Sequence, residues 1–94
     1  MNLSFEHKRE IFRSFTELEE VPMSDNRFNF HYQGSKQRRK VVVTQLAPTG
    51  NGYLCVAYLP EYESQRDSRG WINIKEFNHD QLVELVSKVI RSMS

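Results

Sequence analysis

Lys36, Arg38, Arg39 and Lys40 put four bases into five consecutive positions, and no Asp or Glu interrupts the stretch from Arg27 to Pro60. Bases clustered without acids create a local positive potential, which is what holding phosphates requires. The same cluster also reads as a charged hairpin tip that keeps an edge strand soluble. Groups for bond-making chemistry are sparse. Cys55 lies mid-strand, where a small apolar residue fits, and no neighbouring segment supplies an oxyanion hole for it. His7, His31 and His79 stand far apart in sequence, with no carboxylate or second histidine at metal-ligand spacing. Glu61, Glu63 and Asp67 share one loop, which lacks the rigid placement that acid–base catalysis needs. Gly34, Gly50, Gly52 and Gly70 fall at turns and none opens a helix, so no phosphate-cradling loop is present. The sequence therefore predicts no catalytic residue, no metal site and no cofactor.

At 94 residues, with 13 Lys+Arg against 12 Asp+Glu, the chain has the size of one domain, 1–94. The net charge of +1 conceals a partition. Residues 1–26 hold three bases and six acids, 27–60 hold five bases (Arg27 and Lys36 to Lys40) and no acid, and 61–94 hold five bases and six acids. No apolar run approaches the roughly 20 residues that span a bilayer. Glu6 to Glu10 are polar where a signal peptide would be apolar, and the single cysteine fits a reducing compartment, so the expected location is cytoplasmic, away from membranes.

The elements that must position these groups follow from periodicity. Phe5, Ile11, Phe12, Phe15 and Leu18 mark an amphipathic helix opening near Ser4. Thr16 to Val21 continues it or forms an extended arm, and Pro22 stops either; residues 1–26 are thus a helix and an acidic connection. From Arg27 the period becomes two, with Phe28, Phe30 and Tyr32 on one side. A hairpin loop at Gly34-Ser35-Lys36-Gln37 sets Phe30 opposite Val41 and Phe28 opposite Val43. A turn at Pro48-Thr49-Gly50-Asn51 sets Val43 opposite Val56, Val41 opposite Tyr58, and Gln45 opposite Leu54. After a strand over Tyr53–Leu59, Pro60 to Gly70 shows no period and reads as a long exposed loop, of the kind that is often functional. Trp71 to Phe77 alternates again. Asn78 then caps a final helix over 78–94, with Gln81 three residues on and Phe77 and Leu82 as staple.

The expected fold is α+β: a four-stranded antiparallel meander over 27–77 with an N-terminal and a C-terminal helix (α-β-β-β-β-α) on one sheet face. Phe28, Phe30, Val41, Val43, Leu54, Val56, Ile72 and Ile74 belong to the covered face. Arg27, Asn29, His31, Lys40, Val42, Thr44, Tyr53, Cys55, Trp71, Asn73 and Lys75 belong to the open one, which is wet or covered by a partner. Trp71 and Tyr53 flanked by Arg27 and Lys75 make a platform of the kind on which single-stranded bases stack; equally, they make a patch that docks a second subunit.

From Arg39 to about Arg91 the layout resembles the single-stranded-DNA-binding transcriptional coactivator fold of positive cofactor four and its bacterial relatives. The resemblance rests on Arg39-Lys40-Val41-Val42-Val43, on Tyr53 to Gly70 as a strand leading into a polar loop, and on Trp71 to Ile90 as a short strand before a capped helix. Arg69-Gly70 matches the basic-Gly pair before the family's last strand, whereas Lys75-Glu76-Phe77 lengthens the join to the helix and the N-terminal helix has no counterpart. The resemblance implies a homodimer built through the C-terminal helices, gripping single-stranded DNA through Arg39, Lys40, Arg66, Arg69 and Lys75. Together these observations lead to the expectation of a non-enzymatic module for single-stranded DNA or RNA, using Arg27, Lys36, Arg38, Arg39, Lys40, Tyr53, Arg66, Arg69, Trp71 and Lys75. The alternative expectation is a protein-interaction or regulatory subunit using the same face.

Overall fold

In the computed structural model, which describes residues 3–94, Ser4 opens the first helix, α1 (Phe5–Arg13), by accepting the His7 N–H on its hydroxyl at 3.1 Å. The helix ends where Ser14 turns its hydroxyl back onto the Ile11 carbonyl at 2.6 Å, and Phe15 and Leu18 close two further turns. That reversal lays β1 (Glu19–Pro22) antiparallel against β2 (Phe28–His31), so the sheet has five strands where the sequence predicts four. Glu-Glu-Val-Pro carries almost no strand propensity. The strand forms at an edge, where a proline is tolerated, and from the helix side Glu20 is gripped by two arginines. Arg9 and Arg13 each donate twice to its carboxylate, at 2.8–2.9 Å. Those bonds, Arg9's foremost, hold the Glu20 carboxyl from an ordinary 4.5 down to about 2.

β3 (Val41–Leu46), β4 (Tyr53–Cys55) and β5 (Trp71–Asn73) complete an antiparallel meander in the order β1-β2-β3-β4-β5, and α2 (His79–Met93) closes the chain. Both expected registers are corrected, by two residues at Phe30 and at Val43 and by three at Phe28. Phe30 faces Val43 rather than Val41, and Phe28 faces Leu46. Val43 in turn faces Leu54 rather than Val56. In the first hairpin the loop closes at Tyr32 N–H to the Lys40 carbonyl, 2.7 Å, and β3 then takes in one extra residue, Val42, between the partners of Phe30 and His31. In the second the turn closes at Ala47 N–H to the Asn51 carbonyl, 2.9 Å, and Gln45, at φ 57°, bulges out. The bulges bring Val42 and Leu46 into the core, although the sequence assigns Val42 to the open face.

The expected third strand is also shorter, and the expected exposed loop over 60–70 is folded. Val56 N–H still bonds the Gly70 carbonyl at 2.8 Å, after which Pro60–Tyr62 forms a 3-10 turn and Tyr62 packs on the core beside Lys88. Asn78 and Gln81 form the expected reciprocal cap. Leu82, Leu85, Val86, Val89, Ile90 and Met93 of α2 share one core with Ile11 and Phe12 of α1 and with Phe30, Val43, Leu54, Ile72 and Ile74 of the sheet. Lys8 is fully buried on α1 and donates to the Gly50 and Lys75 carbonyls at 2.6 and 3.0 Å. No helix among the described residues is long and apolar enough to cross a membrane.

Candidate nucleic-acid interface

On β4 and β5, Cys55 pairs with Trp71, and Tyr53 with Asn73, so Trp71 and Tyr53 stand two residues apart along the face opposite the paired Leu54 and Ile72. Trp71 is half-buried, and what covers it is Arg39. The guanidinium carbon lies 5.1 Å from the indole centroid, and Nη1 donates to the Cys55 thiol at 3.4 Å. Arg39 is fixed by its own backbone, whose N–H donates to the Tyr58 hydroxyl at 3.3 Å. Gly70 makes the arrangement possible. Its φ is +92°, and a Cβ there would stand 2.6 Å from the Ala57 Cβ and 3.2 Å from Arg39 Nη1.

Two shallow hollows flank Tyr53. One, of about 220 Å³, is lined by Thr44, Gln45, Tyr53, Asp67, Arg69 and Trp71. The other, of about 380 Å³, lies between Arg27, Gln45, Pro48, Asn51 and Tyr53. Gln45 and Tyr53 belong to both, and the Gln45 bulge is held by Asn29, whose Oδ1 accepts the Gln45 N–H at 3.0 Å and the Thr44 hydroxyl at 3.1 Å. Arg27 Nη1 reaches the Gln45 side-chain oxygen at 3.4 Å. Asp67 organises the approach to β5, accepting the Arg69 and Trp71 N–H groups on Oδ1 at 2.8 and 3.0 Å. The Trp71 N–H foremost holds the Asp67 carboxyl below its ordinary range, and the carboxylate therefore stays ionised.

The ten residues singled out by sequence do not all arrive at one place. Arg39, Tyr53, Arg69 and Trp71 converge, with Arg27 across Gln45. Lys36 and Arg38 reach solvent from the adjoining 32–40 loop, which is tied to the end of α2 by the Lys36 N–H on the Met93 carbonyl at 2.6 Å. Lys40 instead turns its ammonium onto the Ser35 carbonyl, and Arg66 turns onto the Asp67 carbonyl at 3.2 Å. Lys75 lies past β5 beside Lys8, whose pKa it helps burial to lower. The open face is drier than its composition implies: Val42, Cys55 and Asn29 are all buried. Thr44, Gln45 and Asp67 line the hollows without being among those ten, although the sequence assigns Thr44 to the open face. Asp67 alone had a signal, an Asp followed three residues later by Gly70, the ends of a tight turn.

No protein-family model matches this chain, and comparison with curated proteins and with solved structures gives no match.

Proposed function

We propose that this chain is a small non-enzymatic module that holds single-stranded DNA or RNA on the helix-free face of its sheet. Bases stack on Tyr53 and on the part of Trp71 that lines the smaller hollow, contacts worth about 1–3 kcal/mol per base. Phosphates are met by Arg27 and Arg69 beside the two hollows and by Lys36 and Arg38 on the adjoining loop. The observation that carries the reading is the Arg39 guanidinium over Trp71 with Tyr53 and Arg69 beside it: two aromatic rings on the β4–β5 ladder with cations from the adjoining loops. The run β3–β5 followed by α2 covers the part of the chain on which the coactivator-fold resemblance rests. A self-docking face has less in its favour, because among the described residues the one large hydrophobic that is exposed, Met23, lies on the loop before β2 and not on this face. The apolar stripe of α2 is spent inside its own core, leaving Glu84 and Arg91 outermost.

Four phosphate contacts on a single strand give a slope of log Kobs against log salt of about −3. Between 50 and 200 mM salt, affinity for a labelled oligonucleotide is then expected to fall by about 50-fold, measured by fluorescence anisotropy. Arg27→Ala with Arg69→Ala should flatten that slope by about 1.4. Absence of binding at 50 mM salt, or a slope that ignores the double variant, refutes the proposal.

A further inference from the structure

His7 and His79 are separated by most of the chain, yet their side chains touch. His7 sits in the first turn of α1 and His79 begins α2; His7 Nε2 and His79 Nδ1 are 3.0 Å apart, with ring centroids at 5.2 Å and planes inclined by 53°. Each backbone is pinned beside its cap. Ser4 accepts the His7 N–H, and the Asn78–Gln81 box fixes the residues on either side of His79. The packing of α1 against α2 in the common core sets the gap between them. Both rings are exposed, so an ion in solution reaches them without opening the fold.

We infer that His7 Nε2 and His79 Nδ1 together form a site for a divalent ion of the copper, nickel and zinc class, with solvent completing its coordination. The separation of the two nitrogens matches two ligands of one ion. Two imidazole nitrogens bound at about 2.0–2.1 Å to one ion stand about 2.9 Å apart at a right angle and about 3.4 Å apart at the tetrahedral angle. The observed 3.0 Å falls between the two. Each ring swings by up to about 35–45° to turn its lone pair from the N···N line onto a common ion, a movement open to exposed side chains. Donor chemistry sets the class: neutral imidazole suits these ions, while magnesium and calcium require oxygen ligands. No group of three His, Cys, Asp or Glu side chains that could hold an ion occurs among the described residues, so the site has two protein ligands and an open remainder. Because the unfolded chain holds the two histidines 72 positions apart, binding energy goes directly into stability of the fold.

Thermal melts of the full chain, free of any purification tag, in ZnCl2, NiCl2 or MgCl2 test this, together with NMR of the imidazole protons. At free zinc or nickel ten times its Kd the midpoint should rise by about 6–11 °C, and magnesium should leave it unchanged. Resonances of His7 and His79 should move together at stoichiometric zinc while those of His31 stay in place. His79→Asn and His7→Gln, each checked for a native far-UV spectrum, should abolish the shift. No response up to 1 mM zinc, a response equal in magnesium, or one that survives either substitution overturns the inference.

Discussion

Replacing Glu20 with Gln is expected to weaken the fold at neutral pH and to change little in strong acid. In the folded chain the Glu20 carboxyl has a pKa of about 2, against an ordinary 4.5, because Arg9 and Arg13 both bind it. At about 1.36 kcal/mol for each pKa step of one, that difference bounds the contribution near 3 kcal/mol. Solvent screens part of it, since the Arg13 side chain is 47% exposed while that of Glu20 is 19% exposed. Exposed pairs measure about 0.2–1 kcal/mol each, so two doubly bonded pairs on one carboxylate bring the expected loss to about 1–2 kcal/mol. The folded pKa lies below the unfolded one, so between the two the unfolded chain binds the extra proton and stability rises with pH. The contribution is complete above 4.5 and disappears as pH falls through about 2. In urea melts, with a slope of about 1 kcal/mol/M for so small a domain, the variant's midpoint should drop by about 1–2 M at pH 7. The gap between variant and parent should close progressively below pH 4.5. Equal midpoints at pH 7, or a gap of constant size down to pH 2.5, would refute the reasoning that β1 is held to α1 by this charge.

Gly70→Ala should cost about 2–3 kcal/mol and lower the melting midpoint, because the new methyl meets Ala57 at 2.6 Å on a backbone at φ +92°. Arg39→Ala removes the cation from the Trp71 ring and uncovers Cys55, which is 1% exposed. It should cost about 0.5–1 kcal/mol, shift the tryptophan emission to the red and speed reaction of the thiol with a disulfide reagent. Unchanged labelling would show that Arg39 is not the cover. Lys8, whose pKa is pulled below 10.5 by burial and by Lys75, binds fewer protons folded than unfolded at alkaline pH. Relative to Lys8→Met, the parent should therefore gain stability as pH rises toward 10.5, followed by urea melts at several pH values; a constant difference would mean that Lys8 is not desolvated.

Local chemistry was legible wherever one side chain and its neighbours decide the structure. Ser4 and Asn78 cap as their spacing predicts, and the stripe from Leu82 to Met93 is buried as its period predicts. What escaped depends on partners distant in sequence. β1 has little strand propensity beyond Val21, and it lies where Arg9 and Arg13 present a charge for Glu20 and β2 presents an edge. Lys8 belongs to the polar stretch from Glu6 to Glu10, yet it is buried with its ammonium on the carbonyls of Gly50 and Lys75. His7 and His79 read as unrelated, and helix packing joins them.

The same logic explains how Phe30, Val43, Leu54, Val56, Ile72 and Ile74 came out in the core as expected while both registers came out wrong and Val42 moved in from the open face. Where Phe30 meets Val43 and Val43 meets Leu54, each hairpin departs from expectation by two residues, one from its turn and one from a bulge on β3, at Val42 toward β2 and at Gln45 toward β4; the Gln45 bulge adds a third step where Phe28 meets Leu46. A single slip would have turned Phe30, Val43 and Leu54 to solvent, at a cost set by all their buried area. Two slips restore the face, and the hydrophobic requirement tolerates them. Burial therefore constrains register only to even steps, and turn hydrogen bonds choose among those steps. The Gln45 bulge has a consequence for the candidate interface: it lifts an amide beside Tyr53 at the seam between the two hollows. The residue at which the alternation breaks is thus the one that gives the open face its relief. The arginines flanking it, Arg27 and Arg69, are the charges on which polyanion binding should depend most.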